Sequence, residues 1–180
     1  MAVLIRWCLV MAAALSGASP GSVRLDAQGT AAPELTAAFL FNFVKFTTWP
    51  SAVLQDGGPI IVCVSGDDWV ANSLADLTRN QTVDGHPLWV RPTNLERPLD
   101  DCHVVYGAAL DANRTQRLIQ ATSGRSILTV SDVSDFAQRG GVANFFIDGG
   151  RMRFAVNPAA ADRAGLRISS KLLTLAKLVR

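Results

Sequence analysis

The sequence predicts an α/β fold, in which a mostly parallel or mixed sheet is flanked by helices on both faces (α/β/α layers) and carries an antiparallel hairpin near the C-terminal end. Strand-like apolar runs alternate with helical segments, which favours this class. The runs 60–65 and 126–130 are apolar without alternation, as in strands buried on both faces. Asp148-Gly149 separates two further apolar runs, which is typical of a hairpin turn.

The first residues predict an export signal rather than part of the fold. Arg6 precedes a short apolar stretch that ends at Leu15, and small residues follow it. This order is typical of a secretory signal peptide that is removed from the mature protein. The 180-residue chain then divides into a signal peptide at 1–18 (with a cut as late as Ala27), a flexible leader at 19–32 and a single domain at 33–180.

The first predicted helix runs from Pro33 to Trp49 and is apolar around most of its circumference. Pro50 ends it, because the residue before a proline avoids the helical conformation. Lys45 is the unusual residue in this helix, since a buried lysine needs a partner. Its long side chain either reaches the surface or contacts a ligand.

The remaining elements follow from periodicity, caps and turn residues. Strands are expected at 88–91 and 102–106, and a hairpin at 142–147 and 151–156. Helices are expected at the segments 69–78, 111–122 and 132–139, and at a C-terminal segment that Ser169-Ser170 caps and in which Leu172, Leu175, Ala176 and Val179 form one face.

Composition and charge exclude several classes of function. Seventeen basic and fifteen acidic residues are scattered along the chain, which argues against nucleic-acid binding. The two histidines and three cysteines lack the spacings of a metal site, so no metal is expected. No nucleotide-binding glycine motif and no nucleophile–base pair occurs, so we expect neither a cofactor nor an enzyme.

Cys63 and Cys102 are the two thiols that remain after signal cleavage. In an oxidising compartment two such thiols favour one disulfide. Each lies in or next to a strand-like run, so a bridge is geometrically possible if the two strands are neighbours. The alternative is a pair of buried free thiols that behave as small apolar side chains.

A ligand cleft is the second functional hypothesis from the residues alone. Asp67 follows the first buried strand, where α/β proteins bind ligands, although an N-cap role for the following helix is the better explanation of this residue. Together with Lys45 and Trp49 it would form a cleft for a small molecule. The chain would then be a periplasmic small-ligand sensor, or an accessory protein of a transport or histidine-kinase system.

An ordered set of motifs resembles one known family. Segment 37–50, AAFLFNFVKFTTWP, resembles the opening signature of the YfiR-like periplasmic proteins. CVSGDD at 63–68, CHVVY at 102–106, GGVANF at 140–145 and AGLRISSKLL at 164–173 resemble later blocks in the same order. The resemblance covers almost the whole predicted mature chain.

The resemblance implies a periplasmic, non-catalytic regulator. It would bind and restrain the periplasmic sensor region of an inner-membrane diguanylate cyclase, in cyclic-di-GMP signalling, until redox state or an outer-membrane partner relieves the restraint. Family members tend to form homodimers and carry disulfides. Cys63 and Cys102 match one family pair, whereas a second pair found in some members is missing, because the predicted hairpin contains no cysteine.

The predicted partner surface lies around the hairpin and the C-terminal helix. Apolar and basic residues follow one another there, and we expect Phe154, Leu166, Arg167 and Lys171 to contact the partner.

Overall fold

The computed structural model describes residues 32–179. The predicted signal peptide and all but the last residue of the predicted leader lie outside this range. The helices are α1 Pro33–Lys45, α2 Asp68–Thr78, α3 Ala112–Thr122, α4 Pro158–Arg163 and α5 Ser170–Leu173. The strands are β1 Thr47–Thr48, β2 Ile60–Ser65, β3 Thr82–Val83, β4 His86–Pro92, β5 Val104–Gly107, β6 Leu128–Ser131, β7 Ala143–Asp148, β8 Arg151–Val156, β9 Arg167–Ile168 and β10 Lys177–Leu178.

Eight of these strands form one mixed sheet in the order β10-β8-β7-β6-β5-β2-β4-β3. Strands β4, β2, β5, β6 and β7 are parallel. β8 is antiparallel to β7, and β3 is antiparallel to β4. The five parallel strands in the centre of the sheet therefore have an antiparallel neighbour on each side. β1 and β9 form a separate two-stranded antiparallel sheet. The predicted mixed sheet with its antiparallel hairpin is confirmed.

The helices cover both faces of the sheet. Successive strand residues point to opposite faces, and the core divides accordingly into two clusters. Val62 and Val64 of β2 belong to the larger cluster, to which α1 and α2 contribute, whereas Cys63 belongs to a smaller cluster with Leu118 of α3. The predicted α/β/α layering is therefore present.

Helix α1 ends at Lys45, four residues earlier than the sequence predicts. Thr47 and Thr48 leave the helix and pair with Ile168 and Arg167 of β9. Threonine is branched at Cβ and suits a strand. A pairing partner more than a hundred residues away thus overrides the helical periodicity, which extends to Trp49.

The C-terminal segment also differs from its prediction. Ser169 caps a helix as expected, but α5 covers only Ser170–Leu173, and the chain then extends as β10 along β8. Val179 donates its amide hydrogen to the Val156 carbonyl at 2.9 Å. Pairing of β10 with the edge of the sheet replaces the predicted helical face. Leu175 is 71% exposed and packs neither on a helix nor on the sheet.

Segment 132–139 forms consecutive turns instead of the predicted helix. Asp135 adopts a left-handed φ of 59°, which no helix accommodates. The Phe136 ring is fully buried, and its position requires that residue 141 be glycine, because an added Cβ there would overlap the ring. The predicted hairpin is confirmed, with Gly149 and Gly150 at positive φ in its two-residue turn.

Candidate functional site

Three exposed basic residues lie on the segments where the two ends of the domain meet. Strand β9 places Arg167 opposite Thr48 of β1, and the Ser169 amide donates to the Phe46 carbonyl at 2.8 Å. This pairing joins the end of α1, which carries Lys45, to the segment that carries Lys171. All three cationic side chains are exposed, and within residues 32–179 none of them takes part in an ion pair.

The two apolar residues of the predicted partner surface are buried, and only Phe154 also borders a surface groove. Leu166 is 1% exposed, so it cannot contact a partner, and this part of the prediction is corrected. Phe154 is 8% exposed, and its ring packs edge-on against Phe39 and Phe43, at centroid distances of 6.1 and 5.2 Å. Both side chains are large and apolar, and burial in the core stabilises such side chains more than exposure.

A groove separates the β7–β8 hairpin from the C-terminal segment. Its volume is about 490 Å³, and Phe154 contributes to its lining. Ile147 and Leu175, which are 40% and 71% exposed, lie on its two sides, and Lys177 lies next to Leu175. Leu178 is exposed nearby on β10. We call the three basic residues Lys45, Arg167 and Lys171 together with this groove the C-terminal surface.

The predicted ligand cleft does not form, because the structure separates its residues. Trp49 lines a cavity together with Ile60, the first residue of β2, whereas Asp67 follows the last residue of that strand. The six residues of β2 span about 16 Å at a rise near 3.3 Å per residue. Trp49 and Asp67 therefore lie at opposite ends of this strand. Lys45 lies at the Trp49 end, with its Nζ 5.5 Å from the centroid of the Phe41 ring.

Asp67 caps α2, as the alternative interpretation expects. Its Oδ1 accepts a hydrogen bond from the Val70 amide at 3.0 Å. The nearby phenol of Tyr106 is shielded from water, and burial raises its pKa, as do the carboxylates of Asp132 and Asp67. Partial burial also raises the pKa of Asp132, although the Ala109 amide donates to its Oδ1 at 2.7 Å and opposes the shift. The raised pKa keeps the Tyr106 phenol protonated at neutral pH.

The predicted Cys63–Cys102 disulfide is confirmed. The Cα atoms are 5.9 Å apart, and the two cysteines, which are 39 positions apart in the sequence, are both buried. Arg91 of β4 lies opposite Cys63, and its Nη2 is 3.5 Å and 3.6 Å from the two sulfur atoms. Arg91 also pairs with Asp101 at 3.8 Å. The disulfide thus lies beneath a guanidinium group at the protein surface.

The described residues contain neither a metal-ligand cluster nor a membrane-spanning helix. Within residues 32–179, no three or more His, Cys, Asp or Glu side chains are grouped as a metal ion would require. In the same range, no helix has the length and apolar character needed to cross a bilayer.

Four residues near the groove and the disulfide are not among the site residues that the sequence predicts: Arg91, Ile147, Leu175 and Leu178. Only the strand register brings Arg91 to the sulfur atoms, and no local motif signals it. Leu175 belongs to a pattern that predicts a buried helical face, so its exposure depends on where α5 ends. Ile147 lies on the apolar face of β7, beyond the residues that α1 contacts. The alternation of apolar and polar residues along β7 does not show where the contact with α1 ends.

The fold defines the chain as an α/β protein with a mixed eight-stranded sheet and helices on both faces. Comparison with known sequences then identifies it: the chain belongs to the YfiR/HmsC-like family, which matches residues 33–177. Members of this family are known as periplasmic regulators of a diguanylate cyclase. No protein with a curated description matches the sequence.

Two solved structures are similar in outline. One is a conserved domain protein from Vibrio cholerae O1 biovar El Tor, with 14% identity over 82% of this chain and 60% of that one, and a TM-score of 0.49. The other is an ABC domain from Streptococcus pneumoniae in complex with L-Trp, with 9% identity over 72% of this chain and 58% of that one, and a TM-score of 0.48. This chain therefore spans about three fifths of the length of each.

Proposed function

We propose that this protein is an exported periplasmic regulator that binds and restrains the periplasmic sensor region of an inner-membrane diguanylate cyclase. It acts by binding and not by catalysis. The observation that carries the proposal is the family match, which extends over residues 33–177 and so covers the whole α/β domain. Export follows from the signal pattern at residues 1–18.

The C-terminal surface supports the proposal with a place for the partner to bind. Lys45, Arg167 and Lys171 are exposed and would attract an acidic partner surface, which speeds association. Leu175 and Ile147 border a groove that would receive apolar side chains. A combination of apolar contact and charged surroundings is the usual composition of a protein interface.

Two further partners belong to the proposal. Following the family, the protein forms a homodimer, and an outer-membrane protein removes it from the cyclase. Sedimentation of the purified protein tests the dimer directly. A species with the mass of one chain at all protein concentrations would contradict the homodimer. The proposed contact with the cyclase does not depend on this result and is tested separately.

The decisive experiment is affinity capture of the tagged protein from crosslinked host envelopes, with identification of the retained proteins by mass spectrometry. We expect an inner-membrane protein that has a cytoplasmic diguanylate cyclase domain. Good expression and recovery of the tagged chain alone would contradict the proposal.

The variant Arg167→Glu/Lys171→Glu tests the predicted surface. Reversal of two exposed charges should lower recovery of the cyclase at least about tenfold, since each close charge pair contributes more than about 1 kcal/mol to such interfaces. Arg97→Glu/Arg117→Glu is the matched control, because it makes the same change in net charge at other exposed positions. Equal recovery with both variants would exclude the C-terminal surface as the contact.

A further inference from the structure

Strand β4 forms an edge of the large sheet over most of its length. β3 is the last strand of the sheet, but it pairs only with His86 and Pro87. From Leu88 to Pro92, β4 pairs with β2 on one side, and within residues 32–179 no strand pairs with its other side. Such an edge presents backbone donors and acceptors to which a further strand can add.

The hydrogen-bond pattern of β4 shows which backbone groups face outward. The Thr93 amide donates to the Val64 carbonyl of β2 at 2.8 Å. Because the backbone groups of successive strand residues point to opposite sides, those of Arg91 also face β2, whereas those of Val90 face away from it. His86 follows the same alternation, since it faces β3 across a two-residue turn. The amide and the carbonyl of Val90 therefore point out of the sheet.

The side chains on either side of Val90 are a tryptophan and an arginine. Trp89 is 60% exposed, and the Arg91 side chain is 47% exposed. Both lie on the same face of the sheet, because Trp89 is beside Ile61 and Arg91 is beside Cys63 in the parallel ladder. Burial of an indole ring is favourable, and its face attracts a guanidinium group. Trp89 and Arg91 are thus suited to contact each other across a strand pair.

A two-fold axis through Val90 makes this edge complementary to itself. In an antiparallel pair centred on Val90, the two copies exchange both Val90 hydrogen bonds, and Trp89 of one copy lies opposite Arg91 of the other. The same contact repeats on the other side of the axis, as an isologous interface requires. A strand of another protein need not carry both residues in this register, so a second copy of the chain is the occupant that the edge fits.

We propose that the β4 edges of two copies pair in this antiparallel register and form the interface of a homodimer. The inference rests on the homodimer of the proposed function and assigns its contact residues. The groove of the C-terminal surface lies next to β10, at the opposite edge of the sheet. Dimerisation through β4 therefore leaves that groove accessible to the cyclase.

Hydrogen exchange of single amides, followed by NMR, tests the backbone contact. The Val90 amide faces solvent in the monomer and is hydrogen-bonded in the dimer. Its exchange should slow at least about tenfold between about 10 µM and about 1 mM protein, if the dimer has a Kd near 100 µM or below. The Arg91 amide faces β2 in both states and is the internal reference, with an unchanged rate.

Two variants of Trp89 with opposite charge test the register. Trp89→Lys places an ammonium group opposite Arg91 of the second copy, and like charges in this position are destabilising. The Kd of the dimer, measured by sedimentation equilibrium, should rise about tenfold or more. Trp89→Glu places a carboxylate there, and this variant should dimerise at least about fivefold more tightly than Trp89→Lys. Trp69→Lys alters another exposed tryptophan, on α2, and is the matched control, with an unchanged Kd.

The outcomes separate this interface from the homodimer itself. A monomer at all protein concentrations would overturn both. A dimer in which the exchange of the Val90 amide does not depend on concentration would overturn the β4 interface alone. Equal dimerisation of Trp89→Lys and Trp89→Glu would do the same, and in both cases the homodimer would stand with another contact.

Discussion

His103 connects the start of β5 with two other segments through its ring. Nδ1 accepts the Ile61 amide hydrogen at 3.1 Å, and Nε2 lies 3.5 Å from the Val53 carbonyl. This arrangement needs the neutral ring with its hydrogen on Nε2. Burial lowers the pKa of His103 below its usual value, with a smaller contribution from His86, while the Val53 carbonyl and Asp101 oppose the shift.

The lowered pKa of His103 predicts a loss of stability in mild acid. Above the ordinary value of 6.5 the ring is neutral in both the folded and the unfolded chain. As the pH falls through that value, the unfolded chain takes up the proton first, so the free energy of unfolding decreases. His103→Asn keeps an acceptor for the Ile61 amide and does not titrate there, so its stability should decrease less.

Urea unfolding at about pH 7.5 and about pH 5, on either side of the histidine range, measures this difference. His86→Asn serves as the comparison and should keep most of the acid-dependent loss, because His86 makes only a smaller contribution to the lowered pKa of His103. If His103→Asn and the unmodified protein lost equal stability between the two pH values, the interpretation of His103 would be wrong.

Single residues were predictable where their chemistry is local. The Asp67 cap and the Cys63–Cys102 pair follow from residue type, position and compartment, and both are present. Leu166 and Phe154 were placed on a surface because apolar and basic residues alternate around them. Their burial depends on α1 and on the β1–β9 sheet, which no local pattern reveals.

At the scale of elements, the turns from Asp132 to Gly141 depend on one close contact. An added Cβ at Gly141 would overlap the buried Phe136 ring. Gly141→Ala should therefore lower the free energy of unfolding by about 1–3 kcal/mol or more, as overpacking does in tight cores. Chemical denaturation measures the change, and Phe136→Leu in the same chain should restore part of the loss.

Gly124→Ala is the matched control for this prediction. Gly124 has a positive φ of 71°, but an added Cβ there meets nothing within 4 Å. The Gly124→Ala variant should lose only about 1 kcal/mol of its free energy of unfolding, because alanine is strained in the left-handed conformation. Equal losses at the two glycines would mean that the Phe136 contact does not determine the turn.

Long elements with strong periodicity were predicted well, and short ones were not. Helices α2 and α3 and the β7–β8 hairpin lie within a residue or two of their predicted bounds. The incorrect segments, 47–49, 132–139 and 174–179, are those whose conformation is decided by distant pairing or by a buried ring. Local propensity is a weak prior there, because tertiary contacts override it.

At the scale of the whole molecule, the disulfide restricts the unfolded chain. It closes a loop between residues 39 positions apart and should contribute on the order of 3–4 kcal/mol in the chain-entropy model. Cys63→Ser/Cys102→Ser should lose about this much stability in urea unfolding without changing the fold. Chemical reduction of the unmodified protein is the control and should give the same loss.

Thiol labelling of the unfolded, unreduced protein checks the premise. Peptides that contain Cys63 or Cys102 should remain unlabelled. Reactive thiols at both positions, or an unchanged unfolding midpoint in the double variant, would show that the bridge does not form in the native protein.

The small β1–β9 sheet has a consequence for how the protein acquires its structure. Thr47 and Thr48 lie near the start of the domain, and their partners Arg167 and Ile168 lie near its end. A ribosome or an export channel delivers the chain with its N-terminus first. The segment after α1 must therefore wait for almost the entire remaining polypeptide before it can pair. The β1–β9 sheet therefore forms only after nearly all of the domain has been synthesised, whatever part of the large sheet has formed by then.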